Sequence, residues 1–376
     1  MIESNTMVET GMKVITQRDE LAQKLGVVAR AVSTRASVQI LSGVLLRAEA
    51  GRLHLAATDM ELSLRSSVAA QVDGEGSVVV PGRLLVDLVR LLPDNEVTIE
   101  YRPDENVVHV TSGSSTSTLH TYAAEDFPRL PDLDAVGTFT VERQSLLDTV
   151  SRVSRSASRD ESRPVLTGIL VRFEAGKLVM AATDSYRLSY KETTLEGSAP
   201  DLEAIVPARA LEELRRLVTA GGTLELGVQE NQVIFGAGGT WLTTRRIEGQ
   251  FPKFDELRPK EFTHEVTLPR EELLEVVRRT SVMAHRNSPL RLRFADGELT
   301  VWTQTQDVGE ARETLPARYE GEPLEIGFNA DFLRDGIESA VGDEIRLRLI
   351  DPLRPGLIQG PGDDFWYLIM PIRLAG

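Results

Sequence analysis

The sequence predicts an α+β protein made of three copies of one module. Each copy is a doubled β-α-β-β-β unit with its helices on one face and its sheets on the other. Three observations predict it. Separate segments recur in one order at a spacing of about a third of the 376-residue chain. Each copy opens with apolar residues at helical spacing. Alternating strands follow, joined by short turns that contain glycine.

The recurrence is explicit. Ser42–Asp59 reads SGVLLRAEAGRLHLAATD and Thr167–Asp184 reads TGILVRFEAGKLVMAATD, identical at 11 of 18 positions at an offset of 125 residues. Leu290–Gln304, LRLRFADGELTVWTQ, is a weaker third copy. VVVPGRLLVDLVRLLPD (Val78–Asp94) recurs as AIVPARALEELRRLVTAG (Ala204–Gly221) and EIGFNADFLRDGIESAVGD (Glu325–Asp343). TYAAEDFPRLPDL (Thr121–Leu133) recurs as RRIEGQFPKFDEL (Arg245–Leu257). A period this long marks a duplicated globular domain, not a short-repeat solenoid.

Within a copy, a strand leads into an amphipathic helix. Leu21, Leu25, Val28 and Val32 share one helical face, as do Leu146, Val150, Val153 and Ala157. Hairpins turn at Ala50-Gly51, Ala175-Gly176 and Asp296-Gly297, where glycine accepts positive φ. Another strand enters a second helix at Pro81 or Pro207, the proline φ being preset for a helix start. Short strands such as Glu96–Tyr101 and Val107–Thr111 close the copy. The expected organisation is an extension over residues 1–11 and modules over 12–135, 136–260 and 261–376.

Lys and Arg number 42 against 57 Asp and Glu, a net charge of −15, which argues against an ordinary basic nucleic-acid domain. The charge is segregated, however. Expected helices over Thr16–Arg35 and Glu142–Arg159 each carry about +2, and Pro269–Arg286, Gly82–Leu92 and Ala208–Val218 each about +1. Asn329–Val341 carries about −2, leaving roughly −20 for strands and loops. Helices that bury one face on a sheet turn their arginines outward, so a shared helix face would be basic. Arginine forks suit phosphate, and Ser151–Arg159 (SRVSRSASR) sets hydroxyls beside Arg152, Arg155 and Arg159. A merely solvated helix face is the simpler reading of any one helix.

The search for catalytic chemistry is negative. No cysteine is present, which removes disulfides, thiolate nucleophiles and Cys-ligated metals. There is no GxxxxGK[ST], HExxH or GxSxG, and the five histidines are scattered. Thr58-Asp59 and Thr183-Asp184 read as turn caps, and Asp363-Asp364 as a hairpin tip. No metal or cofactor is expected. No apolar run reaches membrane-span length, the longest lying near Ile40–Leu46, so a soluble cytoplasmic protein is expected.

ATDSYRL (Ala182–Leu188), EIGFNADFL (Glu325–Leu333) and YLIMPIRL (Tyr367–Leu374), in this order and on a threefold repeat, resemble the bacterial DNA polymerase III beta subunit, the beta sliding clamp family. The resemblance covers Met12 to Leu374. It implies the DNA clamp fold and a head-to-tail homodimeric ring, with helices lining a hole that passes duplex DNA. The implied role is a non-enzymatic processivity factor that tethers the replicative polymerase. Tethering turns repeated encounters into a high effective concentration. Further implied partners are the clamp loader and other clamp-binding-motif proteins.

The resemblance also implies a peptide cleft between the second and third modules. Its matching positions are Leu166, Thr183, Arg187, Leu188, Pro252, Leu257, Asn329, Phe332, Leu353, Leu368, Met370, Pro371, Ile372 and Arg373. DNA-facing positions carry over at Arg35, Arg83, Arg90, Arg209 and Arg216, to which the helix pattern adds Arg152, Arg155 and Arg159. Ring closure is expected through edge strands of the first and third modules, around Leu119 and Val282. Two departures stand out. Glu256 lies where family members often carry a basic residue, and Pro164-Val165 replace an aromatic pair some members present to DNA. The rival readings are a repeat-built protein-interaction scaffold and a hydrolase using Asp59 or Asp184.

Overall fold

The computed structural model describes residues 11–33, 38–131, 133, 137–195, 200–217, 222–229, 231–284, 288–305 and 307–374. Arg35 and residues 1–10 lie outside them. The described residues divide into two compact units: Met1–Thr140 with Thr223–Arg245, and Val141–Gly222 with Arg246–Gly376.

Among the described residues, one β-α-β-β-β pattern occurs six times along the chain. The first copy holds β1 (Lys13–Gln17), α1 (Arg18–Val28), β2 (Gly43–Glu49), β3 (Arg52–Thr58) and β4 (Leu62–Gly74). It then repeats as β5 (Gly76–Pro81), α2 (Gly82–Leu91), β6 (Glu96–Arg102), β7 (Val107–Ser112) and β8 (Ser115–His120). The second copy runs β9 (Thr138–Glu142), α3 (Arg143–Val153), a single turn α4 (Pro164–Thr167), β10 (Gly168–Glu174), β11 (Lys177–Thr183) and β12 (Arg187–Thr194). Its second half is β13 (Leu202–Pro207), α5 (Ala208–Leu217), β14 (Thr223–Gln229), β15 (Gln232–Ala237) and β16 (Thr240–Arg245). The third copy is β17 (His264–Pro269), α6 (Arg270–Ser281), β18 (Leu290–Ala295), β19 (Glu298–Thr305) and β20 (Gly309–Pro316). It ends with β21 (Leu324–Phe328), α7 (Ala330–Ser339), β22 (Glu344–Leu349), β23 (Gly356–Gln359) and β24 (Phe365–Ile369).

In the first unit, strands run β8-β7-β6-β1-β4-β16-β15-β14, with β5-β2-β3 joining at β4. The 13-residue β4 makes this possible: Leu62–Arg65 pair with β16, and Ala70–Gly74 pair with β1. In the second unit, one sheet runs β13-β10-β11-β12-β24-β23-β22-β17 and another β20-β19-β18-β21. Lone antiparallel bridges tie Val79 to Tyr122, Ile205 to Ile247 and Gly327 to Ile372, one per module. The repeat thus extends to single backbone bridges.

The helices pack by the faces the periodicity predicts. Leu21, Leu25, Val28 and Val32 are buried under α1, and Leu146, Val150 and Val153 under α3. The long helices end earlier than expected. Thr16-Gln17 are claimed by β1, which pairs with β6, and α1 gives way to a 3-10 turn at Ala29–Ala31. The helix expected over Glu142–Arg159 stops at Val153, continues as a 3-10 turn over Ser154–Ser156, and is extended by Ala157. In α6 the Thr280 hydroxyl donates to the Val276 carbonyl at 2.7 Å, a side-chain competitor for the helix ladder near its end. The three hairpin turns match in detail. Ala50-Gly51, Ala175-Gly176 and Asp296-Gly297 have φ pairs of 50° and 73°, 50° and 75°, and 53° and 81°. Two positive φ values in a two-residue turn fit the right-handed twist of the flanking strands.

A cleft on the second unit and two helix faces

The cleft positions assemble where β12 meets β24. These strands pair antiparallel, with Arg187 opposite Ile369 and Leu188 opposite Leu368. The ladder continues as the Met370 amide donates to the Tyr186 carbonyl at 2.9 Å, and the Ile372 amide to the Gly327 carbonyl at 2.8 Å. Leu188 and Leu368 are buried in one apolar cluster with Phe251, Phe254 and Trp366. Leu257 and Met370 remain 54% and 44% exposed, a cost in water that a bound apolar side chain would relieve. Leu166, Pro252, Pro371 and Ile372 are half-buried, while Leu353 and Arg373 are exposed.

Other predicted positions build the site rather than line it. The Thr183 hydroxyl donates to the Arg187 carbonyl at 2.6 Å and accepts from the Ser185 amide at 3.1 Å. The Asp184 carboxylate accepts from the Tyr186 and Arg187 amides. Together they hold a turn in which Ser185 takes a φ of 82°. This is the capping role the sequence predicts for Thr-Asp. Asn329 caps α7, accepting from the Phe332 amide at 3.0 Å.

Arg187 is the polar centre. It pairs with Asp184 at 3.0 Å and Asp335 at 2.5 Å, and its guanidinium lies 4.3 Å from the Phe332 ring centroid. It also donates to the Arg155 carbonyl. Asp335 in turn pairs with Arg155 at 3.2 Å, and Glu338 pairs with Arg155 and with Arg278 at 2.9 Å. Burial alone would raise the Glu338 carboxyl, but bonds and charge from Arg278 and Arg155 outweigh it and hold it below the ordinary carboxylate range. Glu256 is exposed and pairs with Lys253 at 3.4 Å. Pro164 begins the single turn α4, and Val165 packs beside the apolar cluster.

The helix arginines sort by partner. In the first unit, Arg83 and Arg90 on α2 are exposed, with no side-chain bond or ion pair among the described residues. In the second unit, Arg159 is exposed and likewise unpaired among the described residues. Arg209 is exposed, and Arg216 is exposed but pairs with Glu213 at 2.7 Å. Arg155 is tied to α7 as above. Arg152 corrects the expectation that helix arginines all point outward: its side chain is 13% exposed, drawn to Asp148 one turn back at 2.9 Å. Of the closure positions, Leu119 is buried on the edge strand β8, but Val282 corrects the expectation: it lies on no strand and caps α6, 80% exposed, whereas β20 is an edge strand of that module.

Three family models match in chain order: the DNA polymerase III beta subunit N-terminal domain over residues 12–131, the central domain over 140–253 and the C-terminal domain over 255–373. The chain belongs to the DNA polymerase III beta subunit family. The beta sliding clamp of Streptomyces coelicolor is 36% identical over 380 residues, covering 97% of this chain and all of that one. That of Caulobacter vibrioides is 32% identical over 372 residues, covering 96% and 100%. Among solved structures, the Bacillus subtilis sliding clamp aligns with a TM-score of 0.92 at 26% identity, covering 97% and 100%. A Pseudomonas aeruginosa sliding clamp bound to griselimycin aligns at 0.89 and 29%, covering 97% and 100%.

Beta subunits of this family are sliding clamps, non-catalytic processivity factors of the polymerase, and the chain is one of them. No helix among the described residues is long and apolar enough to cross a membrane. Two residues at this junction of the beta subunit were not singled out from the sequence. Tyr186 is 61% exposed and its carbonyl accepts from the Met370 amide; the aromatic inside ATDSYRL was its signal. Asp335 had no local signal, because its partners come from α3 and β12.

Proposed function

We propose that two copies of the chain close head to tail into a ring around duplex DNA. The ring tethers the replicative polymerase, the clamp loader and other partners by short peptides in the cleft at Leu188, Leu257, Leu368 and Met370. The modules are taken as 12–135, 136–260 and 261–376, and the compartment as the cytoplasm.

One observation carries the ring: two open edges occupy repeat-equivalent positions. β4 of the first module pairs with β16, the last strand of the second. β12 of the second module pairs with β24, the last strand of the third, in the same register at an offset of 125 residues on both strands. Among the described residues, β20, the equivalent strand of the third module, pairs only with β19, and β8, the last strand of the first, pairs only with β7. Exposed edges template further pairing. The same register sets Glu310 of one copy opposite Thr118 of the other and Gly309 opposite Leu119. One such pairing per chain, repeated by a twofold axis, closes a dimer.

The exposed, unpaired guanidiniums of Arg83, Arg90 and Arg159 are the best-supported phosphate contacts. Arg209, Arg216 and Arg155 are further contacts, and Arg152 reaches DNA only by leaving Asp148. Sequence-independent contacts of this kind suit a sliding ring. Light scattering tests closure: the chain should run as a dimer at micromolar concentration, and Ala311→Pro on β20 should return it to a monomer. A wild-type monomer would contradict the ring.

A further inference from the structure

The junction that forms the peptide cleft has a second copy within the first unit, and we propose that it is a docking site for a short acidic peptide in extended conformation. The proposal rests on reading the β12–β24 cleft as a peptide site.

The backbone equivalence is close. Thr58 and Asp59 repeat the Thr183-Asp184 turn: the Thr58 hydroxyl donates to the Leu62 carbonyl at 3.0 Å and accepts from the Met60 amide at 3.0 Å. Asp59 accepts from the Glu61 and Leu62 amides. Met60 takes a φ of 78°, as Ser185 takes 82°. The Arg245 amide donates to the Glu61 carbonyl at 3.1 Å, as the Met370 amide does to Tyr186. A cavity opens here, bounded by this turn, by Pro128–Pro131 and by β16.

The side chains differ in kind. Where the first cleft has Leu188, Leu368, Met370 and Tyr186, this one has Ser63, Thr243, Arg245 and Glu61. Arg129 and Arg245 are exposed, with no side-chain bond or ion pair among the described residues. Among the lining side chains, the Arg129 and Arg245 guanidiniums stand against the Glu61 carboxylate, a local positive balance on a chain of charge −15, while the Asp59 carboxylate behind them is turned to the amides of its own turn. The Gln232 Oε1 atom, also in the lining, is buried without a hydrogen-bond donor among the described residues. A buried acceptor left unmade is costly, so a turn of the Gln232 side chain towards a docked peptide N–H would be favourable. Met60, 48% exposed, supplies an apolar contact. An extended peptide alternating acidic and apolar side chains meets each of these groups, because successive side chains point to opposite faces.

The two junctions each carry an exposed methionine, so methyl-13C methionine NMR reads them separately. The probes are a blocked hexapeptide of alternating glutamate and leucine, and a blocked tetrapeptide of leucine and phenylalanine. The acidic probe should shift the Met60 methyl saturably and leave Met370 in place. In Arg129→Glu/Arg245→Glu the Met60 response should need about tenfold more peptide. The Met370 response to the apolar probe should be unchanged in that variant. A Met60 methyl unmoved by the acidic probe overturns the proposal, as does one moved only by a DNA oligonucleotide. A Met370 methyl unmoved by the apolar probe instead overturns the reading of the first cleft, whatever Met60 does.

Discussion

Asp335 joins the cleft to the helix face. It pairs with Arg187 at 2.5 Å and Arg155 at 3.2 Å, while Glu338, one turn on, takes Arg155 and Arg278. Removing Asp335 from this partly buried ion network leaves Arg187 with Asp184 alone and Arg155 with Glu338 alone. Asp335→Asn is therefore expected to lower stability by about 1–3 kcal/mol in chemical denaturation and to weaken apolar-peptide binding, since Arg187 loses one of its two carboxylate partners. Acidification should act on the same network. Glu338 is held below the ordinary carboxylate range, so its stabilising contribution is full above about pH 4.3 and is lost as pH falls through the folded value. Glu338→Gln should flatten the fall in stability below pH 5. This network was half legible in the sequence. Asn329–Val341 stood out as the one acidic helix, and Asp335 and Glu338 lie three apart on one face. Their partners come from distant elements, which no local pattern can announce.

At the scale of elements, the Thr-Asp turns offer a sharper test. Thr58 and Thr183 make the same two hydrogen bonds, at 3.0 and 3.0 Å and at 2.6 and 3.1 Å. Both are buried, so Thr58→Val and Thr183→Val should each cost about 1–3 kcal/mol, measured as a shift in urea midpoint. Loss at one site alone would contradict their equivalence. Here the sequence was highly informative: AATD recurs letter for letter, and so does the turn. Hairpin turns and buried helix faces were equally readable, because both depend on neighbours in sequence. Helix ends were not. Gln17 is taken by β1, and Thr280 bonds a carbonyl within α6, outcomes decided by sheet pairing and side-chain competition. Nor did sequence show that β4 would run 13 residues and join two sets of strands.

For the whole molecule, the proposed ring holds DNA by enclosure and not by tight contact. In that ring the phosphate contacts proposed for the helix arginines are weak and mobile, and Arg152, Arg155 and Arg216 are already paired with acids within their own unit. Charge reversal at Arg83, Arg90 and Arg159 should therefore change the salt dependence of sliding more than retention on closed DNA. The chain has no cysteine, so closure can be made covalent at will. The most direct measurement uses Thr118→Cys/Glu310→Cys, oxidised to lock both interfaces after loading onto nicked circular DNA. The locked protein should stay on the circle in high salt and leave as soon as the circle is cut. Release from the intact circle, or retention after cutting, would contradict enclosure.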